Sequence, residues 1–209
     1  MIVDNNNSIA VLPFRNLSSD KENEYFSDGI TEEIINALTK IESLNVIARS
    51  SSFTFRNRDI DPREVGSQLG VAFILEGSVR KAGNNVRVTV QLIKTSDCFH
   101  LFSEVYNREL KDIFKVQDEI TSKIITKFTD KLNIEGSLNK PVTTSTKNIE
   151  AYELYLKGRY NLSKGSLEAA YTLHRPFLFL KPQWDAQNTL SPRPPDTVRR
   201  RRRGRRSHP

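Results

Sequence analysis

From Ser8 to Leu38 the chain passes from an unbroken apolar run, through a polar stretch, to an apolar residue at every third or fourth position. Ile9, Ala10, Val11 and Leu12 form a run closed by Pro13, too short for a helix, and this predicts a buried strand. Pro13 has no N–H to give a ladder, so the strand ends there or lies where no donor is needed. Asn16 to Asn23 is polar apart from Leu17 and predicts a connector. Phe26, Ile30, Ile34, Leu38 and Ile41 then recur at helical spacing, widened by Ile35 and Ala37, with Glu32, Glu33, Asn36 and Lys40 expected on the solvated side. Asp28-Gly29 interrupts this pattern. Glycine inside a helix costs about 1 kcal/mol relative to alanine, so a bend or cap is predicted there. Asp28, Glu32 and Glu33 near the helix start suit the positive end of its dipole.

The later pattern extends the alternation of strands and helices. Leu44 to Ala48 is a second run of strand length, and in Arg49 to Asn57 the rings of Phe53 and Phe55 fall on one side. Asp61-Pro62-Arg63-Glu64 predicts a helix start with Asp61 as cap and proline in the first turn; Val65 and Leu69 continue it and Gly70 ends it. Phe73, Leu75, Gly77 and Val79 alternate with Ile74, Glu76, Ser78 and Arg80. Lys81 to Asn85 supplies turn residues, and Val86, Val88, Val90 and Leu92 alternate with Arg87, Thr89 and Gln91. A turn at Thr95 to Asp97 and a strand at Cys98 to Tyr106 complete an antiparallel meander with one polar face. Ile113, Val116, Ile120, Ile124 and Phe128, beside Ile125 and Leu132, then define a helix over Asp112 to Leu132. Its solvated side carries Lys115, Asp118, Glu119, Lys123 and Lys127. The expected fold class is α/β: a mixed sheet of about five strands, ordered β-α-β-α-β-β-β-α, with helices packed on one face.

Five regions follow. Residues 1–7 are expected to be a disordered N-terminus, 8–132 the α/β domain, and 133–148, polar and aperiodic with Gly and Pro, a linker. Residues 149–171 resume as helix, where Leu156, Gly158 and Tyr160 resemble the first helix of a tetratricopeptide unit, an architecture that needs about three or more stacked repeats. Ser166 to Ala170 begins a second helix that Arg175-Pro176 is expected to interrupt, so the repeat is truncated. Residues 172–209 are expected to be a disordered basic tail. Basic residues before Thr172 comprise thirteen Lys and nine Arg; after it come one Lys and nine Arg. A change of preference in mid-motif marks the tail as out-of-frame or junction-derived sequence.

Charge changes the picture only once it is located. The net +7 would ordinarily point to nucleic acid or a membrane surface. Residues 172–209 alone carry +8, so residues 1–171 sum to −1. Arg199, Arg200, Arg201, Arg202, Arg203, Arg205 and Arg206 would attract any polyanion without sequence preference. Nucleic acid is therefore expected as a partner only nonspecifically, through the tail. Cys98 is the single cysteine, which excludes an internal disulfide. No run approaches the ~20 apolar residues of a membrane span, and the start lacks the basic and apolar segments of a secretory signal. The expectation is a soluble chain, cytoplasmic by default.

Candidate chemistry is sparse. Gly66 to Gly70 (GSQLG) is not a phosphate loop. Cys98 and His100, on the expected strand, would face one side and could start a soft metal site, but two ligands are too few for structural zinc. Glu32-Glu33 and Asp118-Glu119 are acid pairs at helical positions expected to face water. Ser50 to Ser52 have no accompanying base signature, and the sequon Asn16-Leu17-Ser18 means little without export. No catalytic, metal or cofactor-binding residue is assigned, and no cofactor is expected.

The segments SIAVLPFRNLSSDKENEYFSDGITEEIINAL, LNVIARSSSFTF, REVGSQLGVAFILEGSVRKAGNNVRVTVQLI and HLFSEVYNRELKDIFKVQDEI resemble the TolB-like amino-terminal (FlgO-type) domain of bacteria. The resemblance covers about Ser8 to Leu132. Such domains commonly follow a class III adenylate cyclase, a winged-helix DNA-binding domain or a protein kinase, and commonly precede tetratricopeptide repeats. The resemblance implies a non-catalytic interaction or sensory module with a protein or peptide partner. The surfaces expected to serve it are the polar sheet face (Arg80, Arg87, Thr89, Gln91) and the connector Asn16 to Asp28. The alternative is a fragment of a class III adenylate cyclase or winged-helix transcriptional regulator whose output domain lies upstream. One departure is local: in Lys94 to Phe102 (KTSDCFHLF), Cys98 stands where the family has a turn glycine and Phe102 where it has tryptophan.

Overall fold

The computed structural model describes the backbone of residues 5–132 and 149–180, and side chains within 6–126 and 149–173. The tail arginines, Arg199 to Arg206, and the expected linker fall outside these residues. The polar start is a short 3₁₀ turn, Asn5–Asn7, followed by β1 (Ser8–Val11), β2 (Arg15–Asn16) and α1 (Glu24–Leu38). Then come β3 (Asn45–Val46), α2 (Arg49–Ser52), α3 (Pro62–Leu69), β4 (Phe73–Ala82), β5 (Asn85–Lys94), β6 (His100–Glu109), α4 (Ile113–Leu132), α5 (Ile149–Ser163) and α6 (Leu167–Leu180).

These elements form the expected mixed α/β architecture, with six strands rather than five. The order is β3-β1-β4-β5-β6, with β2 continuing beside β4. β1 pairs in parallel with β3 and β4, and β5 pairs antiparallel with both β4 and β6. The central position of β1 explains its unbroken apolar run, because a strand between parallel neighbours is covered on both faces. Ile9 and Val11 join the main core, whereas Ala10 and Ile74 join a second cluster with Phe55, Val65 and Val71. The long helices thus share one face, as expected, while α3 and the 3₁₀ turn Phe53–Phe55 cover part of the other. Arg49 to Asn57 is helical, α2 and this turn, so Phe53 packs against the main core and Phe55 joins the second cluster instead of sharing its side.

Local chemistry sets several boundaries. The Asp61 Oδ1 accepts from the Arg63 N–H at 2.8 Å, Pro62 occupies the first turn of α3, and Gly70 stops it with φ 65°. Gly83 (φ 56°) turns β4 into β5. The next turn is closed by Cys98 N–H donating to the Lys94 carbonyl, 2.9 Å, and Cys98 itself takes φ 61°. The residue standing in place of glycine has thus kept a glycine-like backbone, and β6 begins at His100 rather than at Cys98. α6 continues through Pro176 to Leu180 instead of breaking there; proline removes one helical hydrogen bond without ending the helix.

The main difference from expectation concerns α1. It is one continuous helix through Asp28-Gly29 and is buried nearly all round, including Ser27, Asp28, Thr31 and Glu32. Phe26, Ile30, Ile34 and Leu38 meet the sheet and α4 within the main core. On its far side α5 contributes Tyr152 and Leu156 to the same core. A Cβ added at Gly29 would stand 2.5 Å from Leu156 Cδ2. Gly29 is therefore a point of close packing between two helices and not a break.

Two stability measurements follow. Gly29→Ala should destabilise by about 1–3 kcal/mol through overpacking. In a Leu156→Ala background, itself about 2–5 kcal/mol less stable, the same alanine should be neutral or stabilising by up to ~1 kcal/mol, because only helix propensity remains. Urea denaturation of the four chains gives this cycle. Cys98→Gly should raise stability by about 1 kcal/mol by relieving the left-handed backbone, visible as a higher thermal midpoint.

Candidate functional site

The sheet face opposite the long helices collects the residues expected to bind a partner. The β4–β5 register sets Glu76 opposite Gln91, Ser78 opposite Thr89 and Arg80 opposite Arg87. The β5–β6 register adds Ser103, Val105 and Asn107 to the same face. Arg80 and Arg87 are exposed; Thr89 and Gln91 are half-buried. Arg87 Nε donates to Asn107 Oδ1 at 2.6 Å. Arg80 makes no ion pair among the described residues. The four residues therefore form one continuous polar surface. The connector, in contrast, spends Asn16 and Asp20 on its own turns and Ser18 on β4, where its hydroxyl accepts from the Lys81 N–H at 2.9 Å. Asn16 Oδ1 accepts from Ser18 N–H at 2.9 Å, Asn16 Nδ2 donates to the Asp20 carbonyl at 3.1 Å, and Asp20 Oδ1 accepts from Glu22 N–H at 2.8 Å.

A second polar constellation was not expected. Glu24, Asp28 and Glu32 recur every four residues, so they form one stripe along α1. Arg56, from the turn after α2, bridges Glu24 and Asp28, each at 2.6 Å. Arg49 of α2 pairs with Glu32, and Arg159 of α5 pairs with Glu32 and, at 3.9 Å, with Glu33. Tyr160 donates to Glu24 Oε2 at 2.8 Å. Lys81 of β4 pairs with Glu153 of α5, and Gln117 of α4 donates to the Tyr152 hydroxyl at 2.8 Å. The Arg49 and Arg56 guanidiniums also lie over the Phe53 ring, 3.9 and 5.0 Å from its centroid. Glu32-Glu33 is thus not the solvated pair predicted: Glu32 is only 8% exposed, because α2 and α5 close over that side of α1.

Burial and pairing set the charge states. Burial pushes the Asp28 carboxyl up despite Arg56, and its Oδ1 has no hydrogen-bond partner among the described residues. Burial also raises Glu33, against the pull of Arg159. Glu24 moves the other way: burial opposes the shift, but the Tyr160 hydroxyl and Arg56 together hold its carboxyl below the usual value. The Tyr160 hydroxyl is pushed up to about 12 by burial and by Glu24.

Neither constellation has the form of a catalytic centre. The acids of α1 face arginines in fixed ion pairs, with no nucleophile beside a free base. Cys98 and His100 do not share a strand face, since Cys98 lies in the turn and its thiol points to Asp61 Oδ1 at 3.6 Å. Among the described residues no group of three His, Cys, Asp or Glu side chains could hold a metal ion. A pocket of about 440 Å³ beside the end of α3 includes Arg63 and Thr95. The Thr95 hydroxyl is already committed there, donating to the Val71 carbonyl at 2.8 Å. No described helix is long and apolar enough to cross a membrane.

The sheet and the ion-paired helix layer define a mixed α/β domain. The family described as HilA/YgeH-like transcriptional regulator, second domain, matches residues 5–123, and the chain belongs to that family. The chain is also 44% identical over 172 residues to the protein named "Putative adenylate cyclase 3" of Rhizobium meliloti (strain 1021). That match covers 80% of this chain and 29% of the relative, so the chain spans less than a third of its length. Among solved structures, lipoprotein GNA1162 from Neisseria meningitidis aligns at 16% identity over 60% of this chain and 99% of its own, with TM-score 0.43. TolB from Acinetobacter baumannii aligns at 16% identity over 61% and 29%, with TM-score 0.45.

The Glu24 pair yields a pH-dependent prediction. A carboxylate whose folded pKa is lowered contributes stability above its unfolded pKa, and that stability is lost as pH falls through the folded value. Glu24→Gln should therefore cost about 1 kcal/mol at neutral pH. The deficit should shrink as pH falls below the usual glutamate range and on through the lowered folded value, where the wild-type carboxyl takes up its proton. Thermal melts of both chains across this range provide the check.

Proposed function

We propose that this chain is a non-enzymatic interaction or sensory module of a longer bacterial signalling or regulatory protein. Its partner is a protein or peptide bound on the polar sheet face around Arg80, Arg87, Thr89 and Gln91. The observation that carries the reading is the buried clamp between α1 and α5. The binding face belongs to strands whose reverse side packs on α1, and α1 is tied by Arg159, Tyr160 and Leu156 to the chain that follows. A partner that shifts the sheet against α1 therefore acts on α5 and on whatever α5 carries. In this reading residues 8–132 are a FlgO-type domain, α5 and α6 open a tetratricopeptide-like region, and the residues after α6 are an appended basic tail.

The longer protein is an adenylate cyclase or a winged-helix transcriptional regulator whose catalytic or DNA-binding domain lies outside this chain. The cyclase-named relative and the regulator family support that reading. In the full-length protein carrying this domain, Arg80→Glu with Arg87→Glu should leave domain stability within about 0.5 kcal/mol and change cyclic-nucleotide or reporter output severalfold. Unchanged output would remove this face from the function. The isolated chain supplied with ATP and magnesium should form no cyclic AMP; turnover by it would overturn the non-enzymatic reading.

A further inference from the structure

β6 is a ten-residue strand at the end of the sheet, hydrogen-bonded to β5 on one side, and no described strand pairs with its other side. A long edge strand offers a row of unpaired N–H and C=O groups and is a template for another strand. Beside it, between β6 and α4, runs a groove of about 810 Å³ lined by Glu104, Arg108, Glu119 and Lys123 among others. On this side of the sheet Lys123 pairs with Glu104, and Arg108 pairs with Glu119 at 3.4 Å. One end of the groove is therefore Glu104 with Lys123, and the other is Arg108 with Glu119.

This arrangement is self-complementary. In Glu104-Val105-Tyr106-Asn107-Arg108 the acid and the base stand two residues either side of Tyr106 and on the same face of the strand. A second β6 laid antiparallel about Tyr106 sets Glu104 of one copy opposite Arg108 of the other, twice. The two ion pairs show that α4 runs antiparallel over β6 with the same centre, so the same twofold brings Lys123 toward Glu119 of the second copy, also twice. Pairing shifted by two residues sets Arg108 opposite Phe102 or Tyr106 and leaves both charges without a partner in the other copy. Opposite charges across strands are favourable and like charges are destabilising, so only one register satisfies all four residues.

We propose that two copies of this chain dimerise by antiparallel β6–β6 pairing centred on Tyr106, continuing the sheet across a twofold axis. A twofold interface uses the same patch on both subunits, as this one does. The proposal stands independently of the partner-binding reading, because β6 uses its edge and the other reading uses the sheet face.

Sedimentation of the full chain over a concentration series tests it. The wild type should show a monomer–dimer equilibrium. Glu104→Arg with Lys123→Glu preserves the pair within one chain but sets the introduced guanidinium against Arg108 of the other copy, and should weaken dimerisation roughly a hundredfold. Arg108→Glu with Glu119→Lys should do the same. Mixed together, the two variants regain complementarity at both ends and should form a heterodimer of wild-type affinity. Circular dichroism melts verify that each variant is folded. A wild type that stays monomeric overturns the proposal and leaves the edge to a different chain. Variants that dimerise as the wild type does, or that are folded yet fail to associate when mixed, overturn it equally.

Discussion

The structure depends on the burial of α1 from every side. A helix covered only by a sheet needs one apolar stripe, and the polar residues of the other side remain in water. With the turn at Phe14, α2 and the turn that follows it, and α5 all laid against α1, its Ser27, Asp28, Thr31 and Glu32 are removed from water. Each must then find a partner or carry a desolvation cost. Thr31 is accommodated within the backbone, donating to the Ser27 carbonyl at 2.9 Å and accepting from Phe14 N–H at 3.0 Å. The acids cannot be, and three arginines from separate parts of the chain meet them.

Such a seam orients more than it stabilises. The desolvation cost of a buried ion pair can cancel its attraction, whereas removing one partner leaves a buried charge without compensation. The stripe on α1 therefore fixes where α2 and α5 sit, while the energy of the layer comes from Leu156, Tyr152 and the sheet-facing residues in one apolar core. Tyr152 links α5 to α4: its ring meets Phe114 edge-on, 4.7 Å between centroids, and its hydroxyl accepts from Gln117. Because α5 shares this core, the chain after residue 148 enters the α/β domain as a packed layer.

Strand and turn chemistry were legible where a local rule decided them. The period-two run in β5, the Asp61 cap with its proline, and the left-handed Gly70 all appear as the residues indicated. Cys98 shows how far such a rule reaches. The position required a left-handed residue, and the backbone adopts that conformation although cysteine disfavours it, because the Lys94 carbonyl and the strand pairing on either side hold the turn closed. The polar sheet face was also readable, since alternation assigns Arg87, Thr89 and Gln91 to one side. Register with β4 and β6 then decides which neighbours complete it.

The sequence by itself determined the class of fold, the order of its elements and the separation of a polar from an apolar sheet face. Each follows from spacings within ten or twenty residues, which backbone geometry converts directly into faces. It also displayed acids at Glu24, Asp28 and Glu32 in steps of four, but a stripe alone does not say whether it faces water or arginine. That choice was made by contacts from outside the helix, some near in sequence and some far: Arg56 against Glu24 and Asp28, Arg49 and Arg159 against Glu32, Tyr160 against Glu24, Leu156 against Gly29. Only the tertiary structure could decide it, because a helical pattern records which residues share a side and not what is later packed against it.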